Sequence, residues 1–407
     1  MERLNRKEYL ETLKKSKDKP IIKIVSGIRR CGKSTLMEIY RDWLIENGVE
    51  KQRIIFINFE DISFEHLSNY RLLYEFITPL LIPVGMNYIF LDEIQHVQQF
   101  EKTVDSLFIK KNVDLYITGS NAFFMSGELS TLLTGRYIEI KMLPFSFSEY
   151  CEGLDIYHQD KQLSKMEKYV SYLNGSSFPY TLQLKEDQKE IRVYLEGLYN
   201  SILLKDIVAR FKISDVMMLE SVVRFVFHNI GNLLSTSKIA NTMTSEGRKI
   251  DQKTVEKYLK GLTDSLMVYH VNRYDIKGKQ HLATLEKYYI VDIGLRQFLL
   301  GTGKTDYGYI LENIVYLELL RRGNKVYIGH LPEGEIDFIT ENTDGITYYQ
   351  VALTVLDPET MHREFTSFEK IKDNYPKILL TLDEIGAGVK DNGIKQMNVL
   401  DWLLGKD

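Results

Sequence analysis

Cysteine is nearly absent: Cys31 and Cys151 are the two thiols in 407 residues. Two cysteines build no disulfide framework, and a thiol at position 31 sits in a loop that oxidation would damage, so a reducing, cytoplasmic setting is expected. Long apolar runs are also missing. No stretch approaches the roughly 20 residues that span a bilayer, and Met1-Glu2-Arg3-Leu4-Asn5-Arg6 leads into a charged helix where a signal peptide would turn apolar, so no membrane insertion is expected. Nor is there an excess of positive charge. Lys and Arg number 52 against 56 Asp and Glu, a net charge of -4, which argues against a general nucleic-acid-binding coat and leaves room only for a local basic patch. The chain is too long for one hydrophobic core and suits two or three domains.

What is present begins at residue 21. Ile21-Ile22-Lys23-Ile24-Val25 is an apolar run that breaks into Ser26-Gly27-Ile28-Arg29-Arg30-Cys31-Gly32-Lys33-Ser34-Thr35. Gly27 and Gly32 bracket four residues, so the backbone can curl around an anion with its N–H groups turned inward. Lys33 can reach the β and γ phosphates of a nucleotide, and Ser34 can ligate Mg²⁺. Thr35 and the residues after it begin a helix whose N-terminus faces the phosphates. Residues 27 to 35 are therefore the expected nucleotide-binding loop, with ATP and Mg²⁺ as cofactors. The later Gly301-Thr302-Gly303-Lys304-Thr305 imitates the end of this motif, but Phe298 stands where the first glycine belongs and no strand precedes it. A solvated linker is the better reading there.

A second apolar run, Tyr88-Ile89-Phe90-Leu91, ends in Asp92-Glu93. Acids at the C-terminal end of a buried parallel strand lie at the ligand edge of an open α/β sheet. Asp92 is expected to hold Mg²⁺, and Glu93 to take a proton from the attacking water. A third strand, Val113 to Thr118, runs into Gly119-Ser120-Asn121. Ser120 and Asn121 read as γ-phosphate sensors or, equally, as an ordinary strand-to-loop turn. Arg136 is a candidate for neutralising transition-state charge, in its own chain or in a neighbour; its alternative is a surface ion pair.

The set Gly27-Ile28-Arg29-Arg30-Cys31-Gly32-Lys33-Ser34-Thr35, Tyr88 to Gln95, Tyr116 to Ala122 and Leu132 to Tyr150 resembles the bacterial and archaeal AAA+ ATPases of a branch near the STAND and MNS types. The resemblance spans about residues 15 to 205, since Gly175-Ser176-Ser177-Phe178-Pro179 is similar to the turn of the family's helical lid, with Ser176 in place of a glycine. It implies an α/β P-loop NTPase fold, a parallel sheet with a helical lid, in which Asp92 and Glu93 are the acid pair, Ser120 and Asn121 the polar sensor, and Arg136 the arginine. It also implies a tendency to form homo-oligomers. Domain limits are expected at 1–155 for the ATPase core and 156–215 for the lid and linker.

In the second half, residues 191 to 230 are helical in period, and Ser235 caps a short helix that a turn at 245–250 joins to a second helix at 251–260. Alternating segments then flank Lys277-Gly278-Lys279. This order reads as a winged helix over 216–300. Between residues 232 and 281 nine Lys or Arg face five Asp or Glu, 9 − 5 = +4, in a chain that is negative overall. Lys238, Arg248, Lys249, Lys253, Lys257, Lys277 and Lys279 are the candidate DNA contacts, phosphates first. A solvated face, or a module that binds a protein partner, is the alternative.

Residues 301–407 read as helix, three strands, helix, strand, with Asp344-Gly345 at a tight hairpin. That order, with Glu312, Asp337 and Gln350, resembles the PD-(D/E)XK restriction-endonuclease-like domain. The chemistry of that family implies two acids on Mg²⁺ and a lysine that activates water. Here Gln350 replaces the second acid and Ala352 the lysine, so cleavage is not expected unless Lys325 or Lys377 takes over. The leading expectation is an ATP-hydrolysing AAA+ protein that couples nucleotide state to DNA binding or remodelling. An ATP-dependent switch on a protein partner and an ATP-regulated DNA nuclease are the alternatives.

Overall fold

The computed structural model describes residues 3–119, 135–157, 162–184, 187–301 and 306–406. They form two compact units: residues 1–144 with 264–266, and the remainder. In the first, five strands make one parallel sheet: β1 (Ile22–Gly27), β2 (Ile54–Asn58), β3 (Asn87–Asp92), β4 (Val113–Gly119) and β5 (Tyr137–Met142). Their order is β2-β3-β4-β1-β5. The strand carrying the acids is thus separated from the strand carrying the glycine loop by β4. Strands β1 and β3 are buried along their whole length, as continuous apolar runs require when helices cover both faces.

Helices α1 (Lys7–Lys15), α2 (Lys33–Glu46), α3 (Tyr70–Ile77) and α4 (Phe100–Phe108) belong to this unit. Ile24, Ile57, Leu91, Leu115 and Ile117 from the sheet meet Leu73, Ile77, Val104 and Leu107 from α3 and α4 in one buried cluster. At the end of the sheet opposite the loop, the fully buried Lys23 ammonium pairs with Asp114 and donates to the Lys19 carbonyl at 3.0 Å. The other Asp114 oxygen accepts from Tyr116 Oη at 2.7 Å and from the Asp18 amide at 2.8 Å. A buried charge is tolerable only when its partners are supplied this fully.

The second unit opens with α5 (Phe147–Tyr157), α6 (Lys165–Asn174) and α7 (Gln188–Ser201), which continues through a π-helical stretch at Ile202–Val208. The turn between α6 and α7 explains the serine at 176. Ser176 and Ser177 hydroxyls donate to Asp292 at 3.1 and 2.7 Å, and the Ser177 amide donates to the same carboxylate at 2.7 Å. A glycine at 176 would lose one of these bonds.

Next come α8 (Val216–His228), β6 (Leu233–Leu234), α9 (Thr236–Ser245), α10 (Gln252–Asp264), β7 (Val268–Asp275) and β8 (Gln280–Ile290). Ser235 caps α9 by accepting from the Lys238 amide, as the hydroxyl in the sequence suggested. After α11 (Ile293–Leu300) follow α12 (Tyr307–Arg321), β9 (Lys325–Leu331), β10 (Gly334–Asn342), β11 (Gly345–Ala352), α13 (Pro358–Glu369), β12 (Lys377–Thr381), β13 (Gly388–Val389), β14 (Lys395–Asn398) and α14 (Val399–Leu403). Among the described residues, the nine strands of this unit lie in one sheet, ordered β13-β14-β12-β11-β10-β9-β7-β8-β6. The join is a parallel pairing of Arg273–Asp275 in β7 with Ile328–His330 in β9. Strands expected in two separate domains therefore share one sheet across position 300. Asn313 of α12 adds a second tie, accepting from the Ile290 amide at 2.8 Å and donating to its carbonyl at 2.9 Å.

Candidate functional site

The glycine loop follows β1, and α2 starts at Lys33 directly behind it. Both glycines are needed. A Cβ on Gly27 would stand 2.4 Å from the Met142 carbonyl oxygen and 2.8 Å from Cys31 Sγ, and Gly32 has a φ of 103°, a conformation open to glycine at little cost. From outside the loop, Arg6 donates to the Cys31 carbonyl at 3.1 Å and to the Leu143 carbonyl at 2.7 Å. That guanidinium fixes a loop carbonyl from 25 residues upstream, and nothing in local spacing marks it.

Lys33 is buried, and its ammonium lies 3.3 Å from Glu93 Oε1 and 3.3 Å from the Gly27 carbonyl. Burial works against its charge, but Cys31, Glu93 and Asp92 outweigh it and hold its pKa above the ordinary lysine value. Glu93 follows β3 at a φ of 56°. For a residue that is not glycine this is a strained geometry of the sort that gathers at functional positions. Burial alone would raise its pKa; Lys33 and the Gln95 amide, which donates to Oε2 at 2.5 Å, bring it below the usual glutamate value.

Asp92 is held differently. Thr118 Oγ1 donates to Asp92 Oδ1 at 2.5 Å and accepts from the Glu93 amide at 2.9 Å, so one hydroxyl on the intervening strand positions both acids. Burial pushes the Asp92 pKa up, against the Thr118 and Ser34 hydroxyls. Its Oδ2 is buried and accepts no hydrogen bond. A buried acceptor with no donor, beside a serine hydroxyl at a helix N-terminus, fits the Mg²⁺ that the loop implies.

Lys33, Ser34, Asp92 and Glu93 are thus brought together. Ser120 and Asn121 lie outside the described residues. The ordering hydroxyl on that strand is Thr118, two residues earlier, a position that becomes readable once Val25 is paired with Thr118 and Leu91 with Ile117. Arg136 is not at the loop. It precedes β5 beside Ile22, whose amide donates to its carbonyl at 2.8 Å, about 16 Å along the strand from Gly27 at roughly 3.3 Å per residue. Its exposed guanidinium pairs with Asp105. A role in its own chain's phosphate site is therefore corrected to a surface ion pair, because the strand it precedes starts at the far edge of the sheet.

In the second unit all seven candidate DNA contacts are exposed. Lys253 and Lys257 share one face of α10, opposite the buried Val255, Tyr258, Leu259 and Leu262. Lys277 and Lys279 stand at the β7–β8 turn, where Asp275 accepts from the Lys277 and Gly278 amides at 3.0 and 2.9 Å. Arg248 is tied back to α8 through Ser221 Oγ and the Met217 carbonyl.

Glu312, Asp337 and Gln350 do converge, in a cleft of about 670 Å³. The Asp337 amide donates to Gln350 Oε1 at 2.6 Å, and Asp337 Oδ2 accepts from the Val351 amide at 2.8 Å. Gln350 Nε2 donates to Glu364 at 2.9 Å. Neither lysine expected to substitute is there. Lys325 is exposed and Lys377 donates to the Asp373 carbonyl at 2.9 Å; the lysines that line the cleft are Lys238 of α9, which is exposed, and Lys287 of β8, which is buried and pairs with Glu312.

A parallel sheet whose glycine loop, lysine, serine and acid pair meet at one edge defines a P-loop ATPase domain of the AAA type, and residues 19–151 match the AAA domain family. Residues 166–306 match a domain of unknown function, DUF8612. The chain is 40% identical over 403 residues, 98% of each chain, to an uncharacterized protein of Haemophilus influenzae. It is 31% identical to the uncharacterized protein MJ1544 of Methanocaldococcus jannaschii, covering 93% of this chain and 85% of that one. It belongs to the family of these proteins. Among solved structures it is similar to a Walker-type ATPase of Pyrococcus abyssi, with a TM-score of 0.49 and 16% identity over 73% of this chain and 96% of that one. No function is transferred at that level. No helix among the described residues is long and apolar enough to cross a membrane.

Proposed function

We propose that the protein binds ATP with Mg²⁺ in the first unit, hydrolyses it, and couples the nucleotide state to contact with DNA through the second. The observation that carries the ATPase half is the convergence of Lys33, Asp92 and Glu93 with the undonated Asp92 Oδ2. The loop amides and Lys33 hold the phosphates, while Glu93 orients water and accepts its proton. Ser34 and Asp92 would hold Mg²⁺, which when bound supplies neutralisation of phosphate charge. For Lys33 to turn to a phosphate it must leave Glu93, and that release frees the base as the substrate arrives.

The DNA half of the reading rests on the order α8-β6-α9-α10-β7-β8, in which β6 and β7 both flank β8. That is the element order of a winged helix, with α10 as the recognition helix and the β7–β8 turn as the wing. Exposed lysines on that helix and that turn suit phosphate contact. The nuclease-like segment at 301–407 then serves as a non-cleaving part of the same unit, and the protein works in the cytoplasm.

The test is fluorescence anisotropy with labelled duplex DNA, with and without ATP, across a salt series. Binding that weakens steeply with salt and changes with nucleotide is expected. Absence of binding at low salt would overturn the DNA reading and favour a switch acting on a protein partner.

A further inference from the structure

A nuclease-like site implies a divalent ion held by acids, and the cleft offers Glu312, Glu335, Asp337 and Glu364. These residues do not fit that ion. Lys287 Nζ stands 3.0 Å from Glu312 Oε1 and 2.5 Å from Glu335 Oε1, bridging the acids that would otherwise face a metal. Tyr289 Oη donates to the same Glu312 oxygen at 2.5 Å. Asp337 has one oxygen engaged by the Val351 amide, and Glu364 is taken by Gln350 and by Arg363, whose Nη2 donates at 2.7 Å. Among the described residues no group of three or more His, Cys, Asp and Glu is arranged to hold a metal.

We infer that the Lys287 ammonium is the resident cation of the cleft between β8, α12 and β10, standing in the place of a divalent ion, so that the cleft takes up no divalent metal. The inference rests on the nuclease-like reading of residues 301–407 for the place of the ion, and not on the ATPase reading. Three features hold the ammonium there. Lys287 is a central position in β8, paired with Leu233 of β6 on one side and Val271 of β7 on the other. Its side chain is only 5% exposed, so it cannot carry its charge out to solvent as lysines at a surface do. Glu312 comes from α12, whose fit to β8 is set by the Asn313 clasp on Ile290. Charge agrees with geometry: carboxylate oxygens of Glu312 and Glu335 both stand within 3.0 Å of the ammonium, and two acids at that range offset its burial. A protonated lysine has no lone pair for water, so this residue is a counterion and not a migrated general base.

The test uses the full-length, nucleotide-free protein and counts bound Mn²⁺ by electron paramagnetic resonance for the wild type, Lys287→Met, Lys287→Met with Asp337→Asn, and Asp337→Asn alone. Lys287→Met keeps the apolar stem, and a thermal melt confirms that each variant folds. The expected result is about one additional Mn²⁺ per chain in Lys287→Met, lost in the double variant, and no change in Asp337→Asn alone. Mn²⁺ should also raise the melting temperature of Lys287→Met above any shift seen in the wild type, since a ligand of the folded state stabilises it. Wild-type Mn²⁺ that disappears in Asp337→Asn would overturn the inference while leaving the nuclease-like reading standing. A folded Lys287→Met that gains no Mn²⁺ would overturn both.

Discussion

Glu93→Gln separates the two tasks assigned to Glu93. In the wild type its carboxylate neutralises Lys33 across 3.3 Å inside the protein. At an effective dielectric near 20 the gross attraction at that distance is about 5 kcal/mol; desolvation of both groups offsets most of it, leaving a net of about 1 to 2 kcal/mol. ATP has to displace this pair before Lys33 can reach a phosphate. A glutamine keeps the shape and can still accept from Gln95, but it releases Lys33, so ATP should bind about five- to thirtyfold more tightly. Turnover should fall by roughly 10²- to 10⁴-fold, the usual contribution of a positioned base. Equilibrium titration with a fluorescent ATP analogue and steady-state phosphate release measure the two effects on the same preparation. Stability supplies a third readout. Against burial, Lys33 and Gln95 depress the Glu93 pKa, so its ionised form stabilises the fold above the ordinary glutamate range, and that contribution is lost as pH falls through the depressed value. The variant should lack this part of the acid transition. Turnover within threefold of wild type, or binding that falls in step with turnover, would refute the assignment.

Gly27→Ala places a methyl 2.4 Å from the Met142 carbonyl; a cost of about 1 to 3 kcal/mol in denaturant unfolding should accompany loss of ATP binding. Asp114→Ala strands the Lys23 ammonium in the core and should cost about 3 to 5 kcal/mol, most of it recovered when Lys23→Met is added; equal stability of the single and double variants would contradict the pairing. Lys253→Ala with Lys257→Ala should weaken DNA binding across all sequences and reduce the slope of log K against log salt by about 1 to 2.

Local patterns carried much of this structure. The run Tyr88 to Asp92 and the loop Gly27 to Thr35 stand where their residue types place them, because a buried strand needs an unbroken apolar sequence and a phosphate loop needs its glycines. The order helix, three strands, helix, strand expected within 301–407 is present as α12, β9, β10, β11, α13 and β12, and the hairpin turns at Gly345 with a φ of 122°. What stayed hidden depends on pairs distant in sequence. Thr118 is one threonine among many until β4 is inserted between β1 and β3. Arg136 reads as a candidate arginine until register places it at the start of β5, away from the loop. Lys287 sits in a polar-apolar segment of no special pattern, and only the parallel union of β7 with β9 and the packing of α12 bring it against Glu312 and Glu335.

Steady-state ATP hydrolysis, measured with and without duplex DNA at two salt concentrations, tests the coupling most directly. Turnover should require Lys33 and Glu93 and be stimulated by DNA, with the stimulation fading at the higher salt. A rate abolished by Lys33→Ala yet indifferent to DNA at both salts would keep the ATPase and contradict the coupling to DNA.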